Sequence, residues 1–326
     1  MKRILFIIPL FALFVTGSAE AFSVKDSEGN KITVTPLGVK VTTSGGDEVK
    51  VDATGVSVTS EDAVVGSKTG ARLASEHKIA VEARRSKMDF SEIEVSKAIR
   101  LTVEERTSGN IIVRAPYSVM PYVSLKVANG TLYATILSGV PVPHNSNVIA
   151  EVYIPNNGRI KDISTSASAR VVVLPTLSCG DLDLEASSAS VIEVKAIAND
   201  ISIDASGASN IKADISAREL DVDASGASVV TLSGVIAEAE VDISGASTLQ
   251  ASTLQALMLD VECSGASKAV VKADICSAYA SGASAVSVEC AKELNASAGG
   301  ASKILYDGDC RVNIKSNSGA STIRKK

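Results

Sequence analysis

A four-residue phrase, Ser-Gly-Ala-Ser, recurs through this 326-residue chain and constrains its fold more than any other feature. Intact copies occupy residues 206–209, 225–228, 244–247, 264–267, 281–284 and 318–321. Degraded copies occupy residues 165–168, 187–190 and 299–302. The alanines of these nine copies follow one another at steps of 22, 19, 19, 19, 20, 17, 18 and 19 residues. A period near 19 residues, kept over nine copies, is typical of a solenoid.

Apolar and polar residues alternate with a period of two on both sides of each repeated glycine. Before Gly226 the apolar or small positions are Leu220, Val222 and Ala224, and after it they are Val230 and Leu232. This pattern predicts two strands per coil with one face inward, and it makes Gly-Ala-Ser the corner between them. Glycine suits the corner because it adopts positive φ at little steric cost.

The predicted fold class is an all-β, single-stranded, right-handed β-helix with coils of about 19 residues. A left-handed β-helix is the alternative, since its coils have a similar length. Its signature is a six-residue period, whereas this chain shows paired apolar positions with variable spacing. Stacking nine coils at roughly 4.8 Å each predicts a rod on the order of 40 Å long.

The chain divides into four stretches by composition. Residues 1–21 resemble a signal peptide, with Lys2 and Arg3 before an apolar run and a small-x-small cleavage site at 19–21. Residues 22–87 form a β-rich N-terminal segment followed by a linker over 61–87. Residues 88–160 carry further strands that start and cap the solenoid, and residues 161–326 hold the repeats.

Export follows from the signal segment, so we expect a periplasmic, cell-surface or extracellular protein. No later segment is apolar enough to cross a membrane after signal cleavage. The net charge of −5 and the pI near 5.3 argue against a nucleic-acid partner, because phosphate binding needs a basic surface.

Five cysteines, Cys179, Cys263, Cys276, Cys290 and Cys310, form neither a disulfide framework nor a zinc motif, because their number is odd and their spacing is wide. We interpret them as buried thiols that act as small apolar side chains. Cys290 and Cys310 lie about one repeat apart, so they are the pair whose bridging is worth testing.

Two outward positions of the strand before each corner are acidic in coil after coil. The members of these two columns are Asp183, Glu185, Asp204, Asp221, Asp223, Glu240, Asp242, Asp260 and Glu262. Like charges on adjacent strands repel one another unless solvent or cations screen them. One hypothesis is that this face collects Ca²⁺ through its carboxylate oxygens. The other is a solvated face that resists aggregation, with no cofactor.

Several segments together resemble a known family. These are Met-Asp-Phe-Ser-Glu-Ile-Glu-Val at 88–95, Val-Ala-Asn-Gly-Thr-Leu at 127–132, Val-Tyr-Ile-Pro at 152–155 and the serial corners. They resemble the putative auto-transporter adhesin, head GIN domain family, over about residues 88–326. The resemblance implies a pectin-lyase-like β-helix, an exported protein and an adhesive role without established catalysis. It supplies no functional residues.

No catalytic constellation accompanies the repeats. The two histidines, His77 and His144, lie outside them, and the corner serines have no partnering base, so a catalytic triad is unsupported. We therefore expect an adhesive or structural module of the cell envelope that binds a glycan or a surface protein. The alternative is a polysaccharide-acting enzyme of the β-helix type, which needs two carboxylates about 5–10 Å apart.

Overall fold

The computed structural model describes residues 22–25, 31–35, 38–42, 48–52, 55–59, 79–85, 89–106, 109–138 and 150–326. The chain divides into two compact units, Met1–Arg84 and Arg85–Lys326. The predicted signal segment lies outside the described residues. Throughout the described ranges the secondary structure is β-strand, apart from a 3₁₀ turn at Met120–Tyr122. None of these ranges holds a helix of the length and apolar character that a membrane span requires.

The first unit contains an antiparallel meander in which each strand pairs with the next. Its strands are β1 (Phe22–Lys25), β2 (Lys31–Thr35), β3 (Gly38–Thr42), β4 (Glu48–Asp52), β5 (Gly55–Thr59) and β6 (Ile79–Arg85). The sequence predicts β2 to β5. The sequence interpretation of residues 61–87 is a linker or a loosely packed segment, and within them residues 80–83 of β6 pair with β5.

The second unit begins with strands that the sequence predicts to start the solenoid. They are β7 (Glu92–Val95), β8 (Ile99–Glu104), β9 (Asn110–Pro116), β10 (Val123–Ala128), β11 (Thr131–Ile136) and β12 (Ala150–Pro155). Asn129 and Gly130 both have positive φ, 53° and 85°, and they connect β10 to β11 as an antiparallel hairpin. This confirms the hairpin turn that the Asn-Gly dipeptide predicts.

Nine coils follow, built from thirteen strands. The shorter ones are β13 (Asp162–Thr165), β14 (Arg170–Ser178), β15 (Asp181–Ala186), β16 (Val191–Ile197), β17 (Asp200–Ala205), β23 (Lys303–Asp307), β24 (Arg311–Asn317) and β25 (Thr322–Lys325). The longer ones are β18 (Asn210–Ala224), β19 (Val229–Ile243), β20 (Thr248–Cys263), β21 (Lys268–Ala280) and β22 (Ala285–Ala298). Each longer strand bends between coils, so its two halves belong to different sheets.

Parallel pairing of successive coils forms two sheets. Sheet A contains the strand before each corner: β11, β7, β13, β15, β17, residues 219–224, 238–243, 258–263, 275–280 and 293–298, and β24. Sheet B contains the strand after it: β12, β8, β14, β16, residues 210–217, 229–236, 248–256, 268–273 and 285–290, β23 and β25. The solenoid of about 19-residue coils is thereby confirmed, and its right-handed sense stays a prediction.

The core lies between the two sheets and consists of the inward side chains of both. In one coil Ile201, Ile203 and Ala205 of sheet A and Ile211 of sheet B are each at most 2% exposed. A single coil cannot cover its own inner face, so each coil depends on its neighbours for burial. Fully burying one such Ile or Leu contributes roughly 1.5–3 kcal/mol.

Glycine at the corners is required by how closely the coils stack. From Gly207 onwards the corner glycines have φ between 67° and 74°. A Cβ on Gly226 or Gly245 would lie 2.6 Å from the carbonyl oxygen of the corner glycine one coil before, which is an impossible contact. The alanine that follows donates its N–H to that same oxygen, as Ala227 does to Gly207 at 2.7 Å.

The first two corners form without glycine. Ser188 and Ala189 take positive φ, 52° and 63°, and Ala167 and Ser168 do the same at 50° and 64°. Because Ala169 is buried and Arg170 pairs with Val191, the corner assigned to 165–168 lies one residue later, at 166–169. A further corner, at Lys97 and Ala98, has positive φ without any copy of the phrase.

The last serine of the phrase points into the core, where its hydroxyl bonds between coils. Ser267, Ser284 and Ser302 are at most 2% exposed, and each hydroxyl donates to the carbonyl of the residue before the preceding corner, at 2.9–3.1 Å. These bonds confirm that the repeated serines connect stacked corners. The Ser209 hydroxyl, in contrast, is buried and has no hydrogen-bond partner among the residues that the structure describes.

The order of the first coils in the stack differs from their order in the chain. Strand β7 lies between β11 and β13, and β8 lies between β12 and β14, all in parallel. The coil of β7 and β8 therefore lies between the coil of β11 and β12 and the coil of β13 and β14, both of which follow it in the sequence. Strands β9 and β10 pair antiparallel with β12 and β11.

Candidate functional site

The outer face of sheet A brings the nine predicted acidic residues together in two columns, in register from coil to coil. Column 2 runs Asp183, Ser202, Asp221, Glu240, Asp260 and Ser277. Column 3 runs Glu185, Asp204, Asp223, Asp242, Glu262 and Tyr279. All nine acidic side chains are exposed. Adjacent members are one strand spacing apart, about 4.8 Å.

A third column on the same face was missed by the sequence analysis. Column 1 runs Asp181, Asp200, Glu219, Glu238, Met258 and Ile275. It lies at the bend where sheet B of one coil leads into sheet A of the next. Arg218 and Glu219 are both exposed there, so the strict alternation that marks the other two columns is interrupted.

The three columns make this face strongly and uniformly negative. In the five coils between residues 181 and 263, thirteen of the fifteen outward positions are Asp or Glu, and the other two are Ser202 and Met258. The remaining 24 acidic residues of the chain are outnumbered by its 32 Lys and Arg. The net charge of −5 therefore conceals a separation of charge between this face and the rest of the chain.

One cation bridges part of column 1. The Arg218 guanidinium donates to Asp200 Oδ1 at 2.7 Å and also contacts the Glu219 carboxylate. No ion pair joins a carboxylate of column 2 or column 3 to Lys or Arg among the described residues. The mutual repulsion of the carboxylates in these two columns is therefore screened by solvent and mobile ions.

This repulsion contributes to the raised pKa values of two carboxyl groups in column 3. Partial burial raises the pKa of Asp204, and the charges of Asp223 and Glu185 raise it further. The pKa of Asp242 is raised in the same way, by partial burial and by Asp223. A carboxyl whose pKa is raised by folding favours the protonated state, so its charge opposes the folded state at neutral pH.

We expect Asp204→Asn to stabilise the protein at pH 7 by about 0.2–1 kcal/mol, the scale of one like-charge pair across strands. The folded-state pKa is raised, so the penalty is present at neutral pH and is relieved as pH falls through that value towards the ordinary 3.8. The gain should therefore shrink between pH 7 and pH 4. Urea unfolding across this pH range measures it.

Asp214→Asn, on the outer face of sheet B, is the matched control. Asp214 bonds to Lys195 Nζ at 3.0 Å, and this bond lowers the pKa of Asp214. Its carboxylate therefore stabilises the folded state above the ordinary pKa, and the substitution should weaken the protein at pH 7. The same sign for both variants would contradict the repulsion described for sheet A.

Two shallow depressions run along the acidic face. A groove of about 580 Å³ follows columns 1 and 2 from Asp181 to Ile275, with carboxylates along most of its length. Met258 and Ile275, 47% and 39% exposed, make its far end apolar. A second recess of about 360 Å³ lies between columns 2 and 3, where Tyr279 and Lys315 join the lining.

The described part of the chain contains no preformed metal centre that would support the calcium hypothesis. No group of three or more His, Cys, Asp or Glu side chains there is arranged to hold a metal ion. The columns place their carboxylates side by side along the rod, whereas Ca²⁺ needs six to eight oxygens around one point. Both histidines, His77 and His144, lie outside the described residues.

The cysteines are all unbridged and differ in burial. Cys263, Cys276 and Cys290 are buried, as the sequence analysis predicts, while Cys179 and Cys310 are half-buried. Burial raises the pKa of the Cys263 thiol to about 11, so this group is inert at neutral pH.

A family model matches residues 89–275, more than half of the chain. This chain belongs to the family described as "putative auto-transporter adhesin, head GIN domain". The resemblance of the strand motifs and corners is thereby confirmed. The head GIN match ends within β21, while the coils continue without interruption to β25.

Solved structures of similar proteins share the fold of this head GIN protein. A putative adhesin from Parabacteroides distasonis superposes with a TM-score of 0.62 at 18% identity, covering 77% of this chain and 98% of that one. A putative adhesin from Parabacteroides merdae gives 0.61 at 17% identity, covering 76% and 96%. A putative lipid binding protein from Parabacteroides distasonis gives 0.57 at 18%, covering 76% and 96%. No curated protein matches the chain.

Proposed function

We propose that this head GIN protein is an exported, non-catalytic adhesin that binds a positively charged segment of a surface protein through the outer face of sheet A. The observation that carries the proposal is the acidic face itself, with thirteen carboxylates in fifteen consecutive outward positions. Membership of a family described as putative adhesins, and the fold shared with putative adhesins of Parabacteroides, support adhesion.

The acidic face is costly for folding, which favours a functional reason for it. The raised pKa values of Asp204 and Asp242 mean that the charges of these two carboxylates oppose the folded state at neutral pH. Ser and Asn occupy equivalent positions in later coils, at Ser277 and Asn295, so the solenoid does not need carboxylates there. Departures from optimal stability of this kind are typical of functional surfaces.

A basic protein segment fits this face better than an acidic glycan does. Lys and Arg side chains would neutralise the columns, whereas the carboxylates or sulfates of an acidic glycan would add to the repulsion. An acidic glycan could bind only with a divalent cation between the two sets of negative groups. The groove along columns 1 and 2 suits an extended segment, since it spans six successive coils.

A Lys-rich peptide and its Glu-rich twin provide a direct test with the purified chain. We expect the Lys-rich peptide to bind with an affinity that falls steeply as salt is added, and the Glu-rich peptide not to bind. A triple variant, Asp204→Asn, Asp223→Asn and Asp242→Asn, should weaken binding about tenfold, because each exposed charge contributes up to about 1 kcal/mol. Biolayer interferometry measures these affinities.

The matched control removes the same number of negative charges from the outer face of the other sheet. Glu193→Gln, Asp214→Asn and Glu289→Gln remove three carboxylates from the outer face of sheet B, where each has a basic neighbour in register or in an ion pair. Equal loss of binding in both triple variants would show that net charge alone attracts the peptide. Such a result would contradict recognition by sheet A.

A panel of glycans and surface proteins, run with Ca²⁺ and with a chelator, identifies the class of the natural partner. Binding to basic proteins in both conditions supports the proposal. Binding to acidic glycans only with Ca²⁺ would favour the calcium hypothesis instead. A melting temperature that is the same with Ca²⁺ and with chelator would eliminate a calcium site in the free protein.

Polysaccharide cleavage is the second candidate function, and one observation favours it. Asp204 has a pKa raised by partial burial and by its acidic neighbours, and it lies one strand spacing from Glu185 and Asp223, so two carboxyl groups lie close together. Turnover of a uronic-acid polymer that disappears in Asp204→Asn would place this function first.

A further inference from the structure

We propose that Cys290 and Cys310 form a disulfide that joins the last bends of the solenoid when the protein meets a disulfide oxidant. The inference goes beyond adhesion and does not depend on it. Its basis is the position of the two residues in adjacent coils and the direction in which their side chains point.

Both side chains face the core at neighbouring bends. Cys290 ends the inward series Val286, Val288 and Cys290 of sheet B, and it is 1% exposed. Cys310 precedes Val312 by two residues, and Val312 pairs in register with the buried Leu294. Cys310 lies directly before β24 and is half-buried, so its side chain is partly inside the next bend.

The backbones of the two bends are in close contact. Glu289 pairs with Asp307, and a Cβ on Gly308 would lie only 2.1 Å from the carbonyl oxygen of Cys290. Gly308 has φ of 96°, so the chain turns sharply there and returns Cys310 towards the previous coil. The Cys290 thiol donates to the carbonyl oxygen of Glu293 at 3.1 Å, and burial and the nearby Cys310 raise its pKa. Glu293 pairs with Arg311 beyond the bend, so Cys310 lies at the same bend as Cys290 one coil later, opposite Lys292.

The different burial of the thiols predicts the order of the reaction. The half-buried Cys310 is the accessible group, so its thiolate attacks a small disulfide R–S–S–R and releases one RS⁻. The Cys290 thiol then loses its proton and attacks the Cys310 sulfur, which releases the second RS⁻. The two cysteines lose two protons and two electrons, and the oxidant becomes two RSH.

A third thiol, that of Cys276, is the competitor within the same cluster. Cys276 lies in the sheet A strand before the corner that leads to Cys290, is fully buried, and pairs in register with Leu294 of the next coil. Burial strongly raises its thiol pKa, and the nearby Cys290 and Cys310 raise it further. The bend that holds Cys310 contacts the carbonyl oxygen of Cys290 through Gly308, so we expect the bridge to exclude Cys276.

The test oxidises the folded full chain with oxidised glutathione, then unfolds and alkylates it. We expect five alkylated cysteines before oxidation and three afterwards, since the chain has five free thiols. Trypsin leaves Cys276 and Cys290 in one peptide, 273–292, and Cys310 in another, 304–311. These two peptides should appear linked in the mass spectrum.

Variants then assign the bridge. Cys276→Ala should keep the link, and Cys290→Ala and Cys310→Ala should each lose it. Oxidation should raise the Tm of the wild-type protein by roughly 5 °C and leave that of Cys310→Ala unchanged. The half-buried Cys310 tolerates substitution, so this comparison holds even if Cys290→Ala folds poorly. A link that survives in Cys290→Ala, or glutathione that stays on Cys310, would overturn the proposal.

Discussion

Gly234→Ala is expected to lower the free energy of unfolding by about 4 kcal/mol or more. Gly234 has φ of 116° in β19 and pairs in register with Ile215. A Cβ there would lie 1.9 Å from the Ile215 carbonyl oxygen and 2.9 Å from its carbon, so the backbone of one coil would have to move. That movement would also break the ladder hydrogen bonds on both sides.

Gly180→Ala provides the matched control for this substitution. No atom lies within 4 Å of the Cβ that it would add, and its φ lies outside the left-handed region. Its effect should stay below about 1 kcal/mol. Urea unfolding followed by circular dichroism compares the two variants. Equal stabilities would show that the coils separate more easily than their backbone contact implies.

Ile203→Asp is expected to have the second-largest effect, a loss of several kcal/mol or failure to fold. Ile203 is 1% exposed on the inner face of sheet A, between Leu184 and Val222 of the neighbouring coils. A carboxylate at this position would have no partner in the core. It would either stay charged at a high cost or protonate, and both outcomes weaken the folded state.

Ser202→Asp introduces the same side chain one residue earlier, on the outer face. It would join Asp183 and Asp221 in column 2, so it adds one more repulsive neighbour and no buried charge. The expected loss is about 1 kcal/mol or less, and added salt should reduce it. Unfolding of both variants at low and high salt separates the two effects. A large, salt-independent loss of stability in Ser202→Asp would contradict the assignment of residue 202 to the outer face of sheet A.

Much of the fold could be predicted because one local rule repeats in every coil. The glycine of Ser-Gly-Ala-Ser marks the corner, and alternation on each side of it assigns residues such as Asp221 and Val222 to opposite faces. Columns 2 and 3 follow from this rule alone. They are in register because the coils between residues 181 and 263 keep nearly the same length.

The remaining features depend on where the rule is broken. Column 1 lies at the bend beside Arg218, where two successive side chains are exposed and alternation gives no assignment. The corner at Lys97 lacks glycine, so no pattern marks it. Gly234 sits inside a strand, and only the contact with Ile215 one coil away shows why it is glycine.

Strands β7 and β8 lie between the coil of β11 and β12 and the coil of β13 and β14. This order affects how the chain assembles. Within the second unit these two strands come first in the chain, yet both of their edges remain unpaired until β11 and β12 are available, and one edge remains unpaired until β13 and β14 follow. The stack must then grow in two opposite directions from this starting coil. We therefore expect truncation before residue 131 to expose both edges of this coil at once, which makes the early chain a natural client of chaperones.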